Sequence, residues 1–482
     1  MSAGKQLQAN GKVTRQQILV VGVVVAGAFM SLLNQTVMSP ALPGLMTAFG
    51  INAGDAQWVT SIYMLVNGIM VPVSAWLIDK FSTRALFFAS TVVFAAGTVL
   101  CAVAPAFGVL LVGRVLQAAA AGVQLPLVAT VPLLVFPPEK RGTAMGMAGI
   151  VMSAGPAIGP VVGGAIIDSF GWRMMFWAIV PLAVAVLLFA VVCLKNVGAL
   201  KNPKLDIPSV ALSTVAFGGL LYGFSSASNA GWASPLVIVP IAVGLVALVV
   251  FIRRQGKLED PLLRLETLKT PAFRSAAIIV TLVNAAVAAT NVTLPIFLQN
   301  ALGVSALETG MVMLPAAAVG IVLSPVSGIV FDKFGARVIG IVGLAIMTVA
   351  LFALGTVHVG TAALVVTVLC ATQATGQALA NMPINTWGVN SLANDMIAHG
   401  NAIANTGRQV FGAMATALFV TVMTSVTSSA AAAGADTAAA TAQGVGASYL
   451  CCGAVALASV IVTVVTVKGR KTQVTRSTIK ED

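Results

Sequence analysis

The chain has 482 residues, of which 58% are apolar and only 8% charged, and its formal charge is +12. A soluble domain carries about 25% charged residues, so the composition excludes one and points to an integral membrane protein. The basic residues are scattered through short connections and tails without aromatic interleaving, which excludes a nucleic-acid groove and suits a surface facing anionic lipid.

At the N-terminus Lys5, Lys12 and Arg15 precede an apolar run of full spanning length without a convincing cleavage site. It is read as a retained first helix, not a removed signal peptide. A spanning helix needs about 20 mostly apolar residues. Fourteen segments reach that length, over 17–39, 57–78, 85–105, 109–135, 143–166, 174–194, 208–226, 235–252, 275–298, 309–331, 338–357, 361–385, 403–426 and 447–467. The expected fold class is therefore an all-α integral membrane protein with 14 transmembrane helices. The polar stretch from Ser428 to Gly446, rich in Ala, Thr and Gly, reads as a flexible outer loop. All five cysteines sit in apolar segments, which leaves neither a disulfide framework nor a zinc spacing and makes them packing residues.

An even number of spans puts both termini on one side. The tails and even-numbered connections hold 23 of the 26 Lys and Arg residues; the opposite side holds Arg173, and Arg114 and Arg408 lie within spans. The positive-inside bias places both termini in the cytoplasm of a multi-pass cell-membrane protein.

A repeat organises the chain. Pro72-Val73-Ser74, Asp79-Lys80-Phe81 and Arg84 recur 253 residues later as Pro325-Val326-Ser327, Asp332-Lys333-Phe334 and Arg337, with seven of thirteen positions identical. Each copy is a charged hinge between two apolar helices, so the halves are similar. The expected organisation is an N-tail over 1–16, a six-helix bundle over 17–194, a linker with two inserted helices over 195–274, a second six-helix bundle over 275–467 and a C-tail over 468–482.

Several motifs carry a resemblance. Ala75 to Arg84 resembles motif A of the major facilitator superfamily, with Ala75 and Ser82 in place of two glycines that Gly328 to Arg337 keeps. Arg114-x-x-Gln117 resembles motif B. Gly155-Pro156-Ala157-Ile158-Gly159-Pro160 followed by Gly163-Gly164 resembles motif C, the antiporter signature. Trp172-Arg173 and Asn405-Thr406-x-Arg408-Gln409 are similar to the fourteen-helix drug:proton antiporters of the EmrB/QacA type. The resemblance implies the major facilitator fold and export of an amphiphilic small molecule against inward proton flow. Where that family usually has Asp, this chain has Asn34, and none of its fourteen acids falls at a span midplane.

The residues themselves offer two readings at each motif. Asp79, positioned to cap a restarting helix and to pair with Lys80, Arg84 or Arg141, and its counterpart Asp332 with Arg337, form either a cytoplasmic latch or a topogenic loop. Gly155, Gly159 and Gly163 share one helical face, and Pro156 and Pro160 remove amide donors; the set is either ordinary small-residue packing or a hinge. Intramembrane polar groups mark either a substrate pathway or interhelical glue. The pathway candidates are Asn34, Arg114, Gln117, Asn284, Asn291 and the four-spaced stripe Gln373, Gln377 and Asn381. Asp168, just past motif C, is the candidate proton carrier: burial would favour its protonated form and re-exposure its ionised one. Its plainer roles are a helix cap or a partner for Arg173, and Asp55 and Glu308 are the reserves.

No phosphate-binding Gly-x-x-x-x-Gly-Lys-[Ser/Thr] occurs, and no clustered acid, base or metal set is visible, so neither an enzyme nor a cofactor is expected. The expected partners are a small-molecule substrate, protons and the lipid bilayer, with no nucleic acid, around a monomer. A facilitator or proton symporter for a small polar nutrient is the alternative within transporters. A structural or receptor-like membrane protein is the alternative from another class.

Overall fold

The computed structural model describes residues 14–136, 155, 158–194, 196, 206–258, 261–393 and 396–467. It is all helical over these residues. The helices are α1 (Arg15–Thr36), α2 (Leu42–Phe49), α3 (Ala53–Ala56), α4 (Trp58–Lys80), α5 (Thr83–Ala102), α6 (Phe107–Val135), α7 (Ile158–Phe170) and α8 (Trp172–Cys193) in the first half. An inserted pair, α9 (Ile207–Ala230) and α10 (Pro235–Gln255), follows. The second half has α11 (Pro271–Ile296), α12 (Ala306–Leu354), α13 (Ala363–Val389), α14 (Ile397–Ala432) and α15 (Thr437–Thr466).

Twelve helices among the described residues are long and apolar enough to cross a membrane, against fourteen expected. Of the other two expected spans, 57–78 coincides with the 23-residue α4, and 143–166 lies largely outside the described residues, which begin again at Gly155 and Ile158. Residues 1–13 and 468–482, Arg141 and Pro156 also lie outside them.

The expected loop over Ser428 to Gly446 is corrected by the structure. Helix α14 runs to Ala432 and α15 starts at Thr437, so only a turn around Gly434 (φ 90°) separates them. Alanine has the highest intrinsic helix propensity, and it outweighs the low hydropathy that suggested a loop.

Helix ends are fixed locally. Thr14 and Gln17 form a capping box at the start of α1, and Gln17 also donates to the Val135 carbonyl at the end of α6 (2.8 Å). Hydroxyls inside the helices donate back along them, as Thr293 does to Ala289 and Thr463 to Ser459, so few polar atoms are left bare in hydrocarbon.

The inserted hairpin packs α9 against α10 and lays α9 on α4 and α14, one helix from each half. Its base is stapled: Arg254 reaches Asp206 through two bonds (2.8 and 2.6 Å), and Ser209 donates to the same carboxylate. Gln255 donates to Ser209 (2.7 Å) and accepts from the Leu263 amide (3.2 Å), bringing the following linker into the staple.

Candidate functional site

A cavity of about 390 Å³ lies between the halves. Its wall takes Gln35 and Thr36 from α1, Thr60 and Met64 from α4, and Pro160 from α7. The second half contributes Asn284 and Asn291 from α11, Gln373 and Gln377 from α13, and Asn405, Arg408 and Gln409 from α14. The four-residue spacing puts Gln373 and Gln377 on one face of α13. Gln373 donates to Thr290 (3.4 Å), and Asn284 to its own helix at Val280 (2.8 Å). Arg408 was not assigned to the pathway from sequence. The signal was present, since it is the one basic residue inside a span of the second half.

Asn34, Arg114 and Gln117 do not line this cavity. They are wholly buried among the helices of the first half. Arg114 donates to the carbonyls of Val59 (3.1 Å) and Asn34 (3.4 Å) and to Gln117 Oε1 (2.9 Å), and it stacks over the Tyr63 ring at 4.4 Å. Asn34 Nδ2 donates to the same Gln117 oxygen (3.0 Å), and Gln117 Nε2 to Thr98 (2.9 Å). One tier further along, Ser31 donates to Gln124 (2.7 Å) and Gln124 to Thr91 (3.2 Å). Amides here knit α1, α5 and α6 together. Asn34 supplies a donor that an aspartate at that position could supply only when protonated. Asn381 does not line the cavity either.

At one end of the cavity the halves meet. Asp168 on α7 accepts from the backbone N–H groups of Ala306 (3.0 Å) and Leu307 (2.7 Å), the first residues of α12. Of the two plainer roles that the sequence offers Asp168, a helix cap and a partner for Arg173, these bonds match the first, with the cap supplied across the halves; Arg173 instead donates to the Ala104 carbonyl (3.0 Å) and stacks on Trp172 (4.2 Å). Asp168 is exposed at this rim, so its hydrogen bonds, not burial, define its surroundings. Glu308 closes a capping box with Ser305 on the same turn.

The glycines of motif C divide their work. Gly155, Gly159 and Gly163 press on Leu32 and Thr36 of α1 and on Val37 at its end, where any Cβ would be crowded. Gly164 turns toward the other half, and a Cβ there would collide with the Ala306 carbonyl, as one on Gly310 would with that of Pro160. Gln299 adds a further crossing bond, to the Pro40 carbonyl (3.0 Å).

At the opposite end lie the two hinges. The helix breaks at the same register in each: Ser82 is extended (φ −64°, ψ 142°) and Gly335 takes φ 78° and ψ 166°. Only glycine adopts the second conformation without strain. Asp79 sits in the last turn of α4, and at the restart of the helix Ser82 accepts from the Ala85 amide (3.3 Å). Arg84 donates to the Val191 carbonyl (3.0 Å), and Lys80 lies 4.6 Å over the Trp76 ring. Arg337 donates to the Val464 carbonyl (3.2 Å). The side chains of Asp79 and Asp332 lie outside the described residues.

Comparison with known proteins decides the family. The profile of the Major Facilitator Superfamily matches residues 24–417. The chain belongs to the Major Facilitator Superfamily. Among its relatives is an uncharacterized MFS-type transporter of Bacillus subtilis, YcnB, 45% identical over 84% of this chain and 86% of that one. The lincomycin resistance protein LmrB of Listeria monocytogenes is 38% identical over 87% and 89%. The multidrug resistance protein B homolog of Mycobacterium tuberculosis is 28% identical over 84% and 75%. Solved structures share the fold: a bacterial homologue of the lysosomal transporter Spinster (TM-score 0.65, 14% identity, 94% of this chain and 98% of that one) and the peptide transporter POT (TM-score 0.68, 13% identity, 95% and 98%). This superfamily member is thus a multi-pass membrane transport protein.

Proposed function

We propose that the protein is a fourteen-helix drug:proton antiporter that exports amphiphilic small molecules across the cell membrane, working as a monomer with both termini in the cytoplasm. The observation that carries this reading is the cavity between the halves, which has an apolar wall set with amides and is bounded at one rim by a contact between α7 and α12. Relatives named for lincomycin and multidrug resistance support it. The rim that Asp168 closes would then face outward, and the Arg84 and Arg337 hinges would face the cytoplasm, where Asp79, Asp332 and Arg141 complete a gate.

Asp168 is the coupling residue in this reading. As a carboxylate it offers both oxygens to the two N–H groups at the positive end of α12. Protonation removes the charge and one acceptor, which weakens the bond between the halves and frees the rim to open. Closing of the rim returns both oxygens to the α12 amides and passes the proton into the cavity, from which it leaves to the cytoplasm when the hinges open, so one proton moves inward for each substrate exported. Asn284, Asn291, Gln373 and Gln377 line the route, while Asn34, Arg114 and Gln117 hold the first half rigid.

The amide-rich lining favours a second reading, a facilitator or symporter for a small polar nutrient. Everted vesicles with a proton-sensitive dye and a compound panel separate the two. Export predicts that a resistance-type amphiphile releases protons from acid-loaded vesicles. Proton movement only with sugars or amino acids would favour the alternative.

A further inference from the structure

Arg408 is the one charged side chain among the described residues that line the cavity. Its only hydrogen bond among those residues is to Asn405 Oδ1 at 3.4 Å, the long limit of such a bond. A guanidinium carries five donors and no acceptor, so most of its capacity is left for a guest in the cavity that Arg408 lines. Arg114, the other intramembrane arginine, is wholly buried away from the cavity, bonded to Val59, Asn34 and Gln117 and stacked on the Tyr63 face, with one terminal nitrogen left unpartnered inside the scaffold. The two therefore differ in kind. One is sealed into the scaffold, and the other fronts the space that a substrate would enter.

Besides the Cys370 thiol, the remaining polar side chains of the lining are amides and hydroxyls, which both donate and accept, and no Asp or Glu lies among them. A permanently cationic guest would meet a like charge without a counter-ion at low dielectric. A guest with a carboxylate or carbonyl would complete the guanidinium fork with charge-assisted bonds. The apolar side chains of Met64, Val287, Leu294 and Met313 offer a surface for its body.

The geometry points to Arg408 as the specificity determinant, selecting amphiphiles that present a carboxylate or carbonyl and rejecting quaternary cations. This rests on the cavity being the substrate site of the proposed exporter. The test uses the full chain in lipid nanodiscs and three probes that share one ring: 1-naphthylacetate, 1-naphthylacetamide and 1-naphthylmethyl-trimethylammonium. The carboxylate is expected to bind at least about tenfold more tightly than the ammonium, with the amide between. Arg408→Gln should bring all three within about twofold of one another, and Arg408→Lys should keep the order with a weaker carboxylate. Ammonium binding as tight as the carboxylate, absence of binding by all three, or a monodisperse Arg408→Gln that keeps the order would each overturn the inference. The order in the wild-type protein and in Arg408→Lys decides even where Arg408→Gln does not fold. Energised everted vesicles that bind naphthylacetate selectively but do not accumulate it would contradict export and leave the assignment of Arg408 standing.

Discussion

Arg84 donates to the Val191 carbonyl at 3.0 Å, and Arg337 repeats the contact at Val464 at 3.2 Å. In each half, the arginine of the hinge ties the start of one helix to the last turn of the final helix. An orphan C-terminal carbonyl gains a donor, and a positive charge meets the negative end of the helix dipole.

Both arginines are therefore expected to stabilise the fold more than they gate it. Arg84→Ala and Arg337→Ala should each cost about 0.5–1 kcal/mol, a small drop in thermal midpoint, and the Lys variants should lose less. Fluorescence-detected thermal unfolding in detergent checks this. Unchanged midpoints alongside lost transport would return both residues to a gating role.

A second expectation concerns the cavity wall. With the five native cysteines replaced, including Cys370 on the lining, single cysteines at Gln373 and Gln377 should react with a water-soluble thiol reagent. Cysteines at Asn34 and Gln117, which are fully buried, should stay inert under the same conditions. Mass spectrometry of the labelled protein reads the result, and equal labelling at all four positions would contradict the division drawn between wall and scaffold.

The extent to which the sequence foretold this arrangement depended on the range of the interaction. Run lengths and the 253-residue repeat carry the helices, because spanning hydrocarbon is a local requirement. The spacing of Gly155, Gly159 and Gly163 likewise announces a close helix contact, found at α1. Asp168 is different: its partners are backbone amides 138 and 139 residues away, and backbone groups leave no side-chain signature. Arg114 and Arg408 are one residue type in similar apolar surroundings, and only the packing of Tyr63 and Gln117 separates anchor from cavity wall.

The base of the inserted hairpin gives a pH dependence with a definite sign. The Arg254 guanidinium, aided by Ser209 and opposed by partial burial, holds the Asp206 carboxyl below its ordinary value. A depressed carboxylate stabilises the fold above the unfolded-state value of about 4 and loses that contribution as the pH falls through the folded one. Hydrogen exchange at the ends of α9 and α10 should thus be flat from about pH 5 to 8, once corrected for intrinsic rates, and rise below about pH 4. Asp206→Asn should exchange faster at neutral pH and lose the acid step. The same acid step in that variant would assign it to another group.

The rim seam depends on two missing side chains. Gly164→Ala and Gly310→Ala should each push α7 and α12 apart and destabilise the closed rim by about 1–3 kcal/mol, the usual cost of overpacking. A cysteine at Met313, beside the cavity, should then become more reactive to a reagent added from the Asp168 side. Unaltered reactivity in both variants would show that the seam yields without cost.

The charge on Asp168 is expected to hold the two halves together at this rim. Pulsed EPR distances between labels at Val103 and Val359, exposed on opposite halves, test it most directly because they need no knowledge of the substrate. Asp168→Asn and Asp168→Ala should move a substantial share of molecules to longer distances, with Ala shifting more, while Glu308→Gln leaves the wild-type distribution in place. Superimposable distributions for the wild-type protein and both Asp168 variants would contradict the account.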